Sequence, residues 1–180
     1  MSAENSLPQL RMSAKTREIR SFNPIELPVD YHQTRYRPAV NTAWLKLINE
    51  SDEFGQLSED AFYLAVLDRL IPDGVGLIWF RDELAACASI NYHGQNHNAA
   101  MLNYVLTKPA HRGYGLGGIA VAIALNSARQ AGVETVQLLT DDARLAAIKL
   151  YLKLGFKPDY ALADLKMVER WGKVLSILER

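Results

Sequence analysis

The chain has 180 residues, 49% of them apolar, with 20 Lys and Arg against 20 Asp and Glu and one cysteine, Cys87. That length suits a single domain with a real core. Zero net charge argues against a nucleic-acid or membrane-surface binder, which needs a basic face, and a lone cysteine excludes an intrachain disulfide framework and any multi-cysteine metal site. No apolar run reaches the ~18 residues of a membrane span, and the N-terminus lacks an apolar signal core while carrying Glu4, Glu18 and Glu26. The expected setting is cytoplasmic, with no metal.

Residues 1–29 are weakly patterned and interrupted by Pro8, Pro24 and Pro28. They read as an N-terminal arm, with a possible edge strand at residues 10–12. Residues 30–180 form the domain proper. Within it, residues 31–37 alternate and end at Pro38, a candidate first strand. Val40, Trp44, Leu45, Leu47 and Ile48 make a helical stripe. Ser58 followed by Glu59 and Asp60 opens a second helix, expected to run to Leu70 and to stop at Pro72-Asp73-Gly74.

The period then changes from helical to alternating. Residues 75–80, 84–92 and 99–107 predict a three-strand antiparallel meander, with tight turns around Arg81-Asp82 and at residues 93–98. Residues 116–131 predict a helix closed by Gly132, and residues 133–140 a further strand. Asp141 or Asp142 is expected to cap a helix over residues 143–154 that Gly155 ends, followed by a short strand within 156–160. Leu165, Val168, Trp171, Leu175 and Leu178 mark a last amphipathic helix, weakened by Gly172. The pattern is α+β: a mixed, mostly antiparallel sheet with helices on both faces.

The averages conceal a gradient. No Asp or Glu occurs between Glu83 and Glu134, and four glycines fall inside that gap at Gly113, Gly115, Gly117 and Gly118. They join a strand to a helix, where glycines admit a close ligand and the helix N-terminus offers unpaired N–H groups to an anion. A nucleoside-triphosphate loop needs Gly-Lys followed by Ser or Thr, but this chain has Gly117-Gly118-Ile119. Gly113, Gly115 and Gly118 match a dinucleotide fingerprint, yet residues 108–112 separate the strand from the first glycine, and little chain follows for further βαβ units.

More residues are absorbed by a third reading. Arg112-x-x-Gly115-x-Gly117 resembles the pyrophosphate loop of the GNAT N-acetyltransferase superfamily, and Ala147-Ile148-x-Leu150-Tyr151-x-x-Leu154-Gly155-Phe156 is similar to its downstream helix-and-turn signature. The strand, two helices and meander from Tyr31 are similar to its N-terminal half, so the resemblance covers about residues 30–160. It implies a V-shaped splay at a bulge between the strands of residues 99–107 and 133–140, with acetyl-CoA in the gap. The backbone of Val105, Leu106 and Thr107 would pair with the pantetheine arm as an added strand does. Arg112, Gly113, Tyr114, Gly115, Leu116, Gly117 and Gly118 would hold the pyrophosphate.

The resemblance also places Tyr151 beside the thioester sulfur as general acid. A phenol, ordinarily titrating near ~10, stays protonated at neutral pH and can donate to a leaving thiolate. Three departures stand out. The strand carboxylate that serves many members as base has no counterpart here, so no base is assigned: either a base acts through water, or the amine arrives neutral in sufficient fraction. Arg144 stands where an asparagine often touches the cofactor, and either reaches a phosphate or faces solvent. The C-terminus predicts a helix where the family usually ends in two strands; it either covers the sheet edge, walls the acceptor cleft or makes a dimer contact. His111 is expected to be exposed, and Cys87 to be a small core residue.

The implied activity is direct acetyl transfer in a ternary complex to a primary amine of a small molecule or a peptide, by a monomer or homodimer. Acceptor contacts are expected from the first two helices, the loop of residues 51–57 and the C-terminal segment. A non-catalytic CoA-binding sensor or interaction domain on the same fold is the alternative.

Overall fold

The computed structural model describes residues 8–20, 26–51, 53–95, 97–161 and 163–179. Among them, seven strands form one sheet in the order β2-β3-β4-β5-β6-β1-β7. They are β1 (Leu10–Lys15), β2 (Tyr31–Thr34), β3 (Leu70–Phe80), β4 (Glu83–His93), β5 (Ala99–Thr107), β6 (Thr135–Thr140) and β7 (Lys157–Pro158). Every neighbouring pair is antiparallel except β5 and β6, which run parallel. The helices are α1 (Asn41–Asn49), α2 (Glu59–Phe62), α3 (Leu116–Gln130), α4 (Leu145–Leu154) and α5 (Leu165–Leu178). This is the α+β architecture that the pattern predicts.

Strand alternation divides the core. In β3 and β4, Leu77, Leu84 and Cys87 join Trp44, Leu47 and Ile48 of α1 and Phe62 of α2. Ile78, Ala86, Ala88 and Ile90 point the other way, into a larger cluster with Ile119, Ala120 and Ala124 of α3. Gly76 lets α3 approach closely: a Cβ there would lie 2.1 Å from the Ala120 carbonyl oxygen.

Three sequence expectations are corrected. First, the N-terminal strand is no edge. β1 lies between β6 and β7, pairs Leu10 to Lys15 with Thr140 to Thr135, and buries Leu10 and Met12 completely. The far side of the sheet is thus completed largely from the chain's beginning, with α5 packing behind it through Trp171 and Val174. Residues 21–25, also in the expected arm, lie outside the described residues.

Second, the helix expected from Ser58 to Leu70 ends early. Ser58 caps α2 by accepting from the Ala61 N–H, as expected, but the chain passes into one wide π turn at Tyr63–Leu67. The Asn91 amide then donates to the Val66 and Asp68 carbonyls, both at 2.8 Å, satisfying the end of the turn from β4. Arg69 turns the chain with φ 58°, and Leu70 begins β3. Pro72-Asp73-Gly74 sits in an irregularity between the pairs Leu70–Asn91 and Val75–Ser89, a position where proline costs no ladder bond.

Third, α4 starts at Leu145 after Arg144, with no side-chain cap, so neither Asp141 nor Asp142 caps it. On α5, Leu165 and Val168 lie exposed while Trp171 and Val174 face inward.

Candidate active site

The site begins at a bulge. Cys87 pairs with Leu106 and Ser89 with Asn103, so Tyr104 and Val105 on β5 oppose Ala88 alone on β4. Tyr104 absorbs the irregularity with φ 47°. Past it, β5 leaves β6: the two pair only from Ala99–Thr135 to Leu102–Leu138, although β5 continues to Thr107. The result is a splay with one strand edge facing open space.

A cavity of about 750 Å³ fills it. Val105, Leu106, Thr107, Arg112, Gly113, Gly115, Leu116, Gly117 and Gly118 all line it, nine of the ten residues that the sequence assigned to a donor. Tyr114 is not among the lining residues; its ring is exposed and lies 5.9 Å from that of Tyr31. Gly113 and Gly115 have φ of 89° and 74°, which glycine adopts freely, and a Cβ on either would meet nothing within 4 Å. The loop is therefore shaped by backbone conformation and stays open. Gly115 precedes the 15-residue α3 without a side-chain cap. The first N–H groups of α3 are thus free of side-chain competition at a positive dipole end, which suits a pyrophosphate.

The electrostatics differ from the acid-free reading of the sequence. Distant segments return acids to the loop. Lys108 Nζ lies 2.8 Å from Glu50 Oε2 and 2.7 Å from Glu83 Oε1, and its hydrogen bonds hold both carboxyls below the ordinary carboxylate range. His111, expected to be exposed, is buried: Nδ1 is 2.8 Å from the Tyr31 hydroxyl and Nε2 is 3.2 Å from Glu83 Oε2. Glu53, on the segment between α1 and α2, approaches Arg112 Nη2 at 3.7 Å and Arg144 Nη2 at 2.6 Å. Of the cations lining this cavity, Arg112 and Arg144 are thus already paired with Glu53, while Lys153 of α4 also faces it.

Arg144 does not simply face solvent: it lines the larger cavity. Its Nη2 donates to the Val105 carbonyl at 3.2 Å, across the splay. Arg112 Nε donates to the Thr107 carbonyl at 3.4 Å. Two carbonyls of the unpaired edge thus carry guanidinium donors, and Glu53 links the two arginines.

Tyr151 lies behind this edge in an adjoining cavity of about 230 Å³, whose lining shares Val105 and Arg144 with the larger one. It is 3% exposed. Burial pushes its hydroxyl up to about 12, against an opposing pull from Arg144 and with a smaller push from Glu53. Phe54, Tyr104 and Gln9 also line this cavity. Of the loop of residues 51–57, Phe54 lines this cavity and Glu53 the larger one, whereas none of the described α5 residues lines either. Gln9 was not foreseen, because only the insertion of β1 beside β6 brings it there. Glu53 could be noticed in sequence only as one acid among several.

The sequence matches the family model described as the Acetyltransferase (GNAT) family over residues 41–156. The chain belongs to the GNAT acetyltransferase family. Solved structures agree in fold. A GCN5-related N-acetyltransferase from Sphaerobacter thermophilus superposes with a TM-score of 0.67 at 14% identity, covering 85% of this chain and 50% of that one. One from Kribbella flavida gives 0.59 at 19% identity over 85% and 55%. A Salmonella typhimurium protein, described as an acetyltransferase and solved with its cofactor acetyl-CoA, gives 0.59 at 20% identity over 71% and 80%. This GNAT chain spans 55% and 50% of the first two structures. No curated protein matches its sequence. Among the described residues, no helix is long and apolar enough to cross a membrane, and no group of three His, Cys, Asp or Glu is placed to hold a metal.

Proposed function

We propose that this GNAT chain transfers the acetyl group of acetyl-CoA to a primary amine in a ternary complex. The observation carrying this reading is the coincidence of the splayed β5 edge, the open glycine loop and the uncapped start of α3 in one cavity, with a buried tyrosine next to it. The pantetheine amides would pair with Val105 and Thr107, displacing Arg144 and Arg112 from their carbonyls. The loop N–H groups would take the pyrophosphate. The amine nitrogen attacks the thioester carbonyl, the C–S bond breaks, and the departing thiolate takes its proton from the Tyr151 hydroxyl, which solvent then reprotonates. The nitrogen gives up its proton to water, since among the described residues no lining carboxylate other than the arginine-paired Glu53 reaches the donor cavity.

The test is calorimetry with acetyl-CoA, followed by thiol release across a panel of primary amines. The reading predicts a saturable donor site and amine-dependent thiol release. Donor binding with no release for any amine would favour the non-catalytic domain instead.

A further inference from the structure

The adjoining cavity contains an unusual balance of groups for an amine acceptor. Among the described residues, Arg144 is its one charged lining group, and no carboxylate lines it. The walls are mixed: Phe54 and Tyr104 pack with ring centroids 4.9 Å apart, the Arg144 guanidinium lies 5.8 Å from the Phe54 ring centre, Leu102 and Leu139 add apolar surface, and Gln9, Asn103 and Tyr151 add polar groups. Once Glu53 releases Arg144, a cationic amine alone would meet an unfavourable charge here. A molecule that also carries an anion finds a partner.

Arg144 is also already seen holding a carboxylate. Glu53 Oε2 sits on its Nη2 at 2.6 Å, so the guanidinium is oriented to bind that group. Its other bond, to the Val105 carbonyl, uses the edge that a pairing donor would occupy. Donor binding therefore frees an Arg144 donor at the wall between the two cavities. About 230 Å³ is roughly eight water volumes at ~30 Å³ each, room for a small molecule.

We infer that the acceptor is a small amine bearing a carboxylate, and that Arg144 binds this carboxylate in exchange for Glu53. The inference rests on the acetyltransferase reading for its chemistry, but not for its binding test.

The experiment compares free amino acids with their carboxamides, phenylalanine against phenylalaninamide and leucine against leucinamide, and includes longer ω-amino acids. Both thiol release and calorimetric binding to the acetyl-CoA complex are read. The free acids are expected to show at least tenfold higher kcat/KM and affinity. The amide's less basic amine biases turnover toward the amide, so reactivity does not mimic this result. Arg144→Gln should erase the acid preference while changing acetyl-CoA affinity less than threefold. Glu53→Gln, by removing the competing carboxylate, should lower KM for acids and leave amides unchanged.

Equal binding of acids and amides overturns the inference. So does an Arg144→Gln variant that loses donor affinity tenfold with its acid preference intact, which would assign Arg144 to the donor. If amines without a carboxylate are the better substrates, the inference fails while the acetyltransferase reading stands. If acids bind selectively and no amine is acetylated, the reverse holds.

Discussion

Arg170 grips Asp142 through two parallel hydrogen bonds, Nε to Oδ2 at 3.0 Å and Nη2 to Oδ1 at 2.5 Å, while its Nη1 donates to the Pro8 carbonyl at 2.7 Å. One guanidinium thus ties α5 to the loop entering α4 and to the residues leading into β1. These are the elements that place Tyr151 and Gln9.

The geometry is bidentate and Arg170 is mostly covered, so the pair exceeds an ordinary surface bridge. Arg170→Ala is expected to cost about 1–2 kcal/mol at neutral pH, and Arg170→Lys to recover little because an ammonium lacks the fork. The hydrogen bond from Arg170 lowers the Asp142 carboxyl below its ordinary range. A depressed folded-state value gives stability that is present above the unfolded value and lost as pH falls through the folded one. Urea unfolding of wild type and Arg170→Ala should therefore differ at pH 7 and converge in acid below the carboxylate range.

Two glycines that look alike in sequence should respond oppositely. Gly172 lies inside α5, where an added methyl would meet nothing within 4 Å, so Gly172→Ala is expected to stabilise by about 0.5–1 kcal/mol. At Gly76 the methyl would meet the Ala120 oxygen at 2.1 Å and its Cα at 2.6 Å, both backbone. Gly76→Ala must push α3 off the sheet, and a loss of about 3 kcal/mol or more, or failure to fold, is expected. Thermal melts of the two variants measure both signs.

Gly115 separates conformation from space. Its φ is 74°, and a Cβ there is unobstructed. Gly115→Ala should cost about 1–2 kcal/mol of strain in the fold and weaken acetyl-CoA modestly. Gly115→Glu adds a carboxylate where the pyrophosphate is proposed to sit, and should reduce donor affinity at least a hundredfold with a melting temperature close to that of the alanine variant. Equal donor affinity in the two variants would remove the loop from the phosphate site.

Much of this fold was legible because its signals are local. The αL glycines Gly132 and Gly155 end α3 and α4 where the sequence put them, and the loop glycines fall in the strand–cavity–helix context that their spacing implied. What escaped was decided by partners far along the chain. The turn after Val66 depends on the Asn91 side chain, the burial of His111 on Tyr31 and Glu83, and the placement of Gln9 on β1 entering the sheet beside β6. The acid-free stretch misled for the same reason. Glu50, Glu53 and Glu83 lie outside it in sequence and against it in space.

In the proposed mechanism the burial of Tyr151 bears on both catalysis and stability. With the hydroxyl pushed up to about 12, the acid form persists throughout the usable alkaline range. The kcat profile should rise as the acceptor amine deprotonates and then stay level to about pH 10, with no fall near the ordinary tyrosine value. Tyr151→Phe should lower kcat about 10²–10⁴-fold with unchanged acetyl-CoA affinity. Unchanged turnover would end the general-acid assignment. Fully buried Cys87 is likewise pushed from 9.0 to about 12 by burial. In both residues the unfolded chain releases its proton at a lower pH than the folded chain does. Stability is therefore full below those unfolded values and falls as pH rises past them, beginning near 9 with the thiol and adding the phenol near 10. Denaturant midpoints should decline from about pH 9 in wild type, and Cys87→Ala should delay that onset by about one pH unit, leaving the Tyr151 contribution.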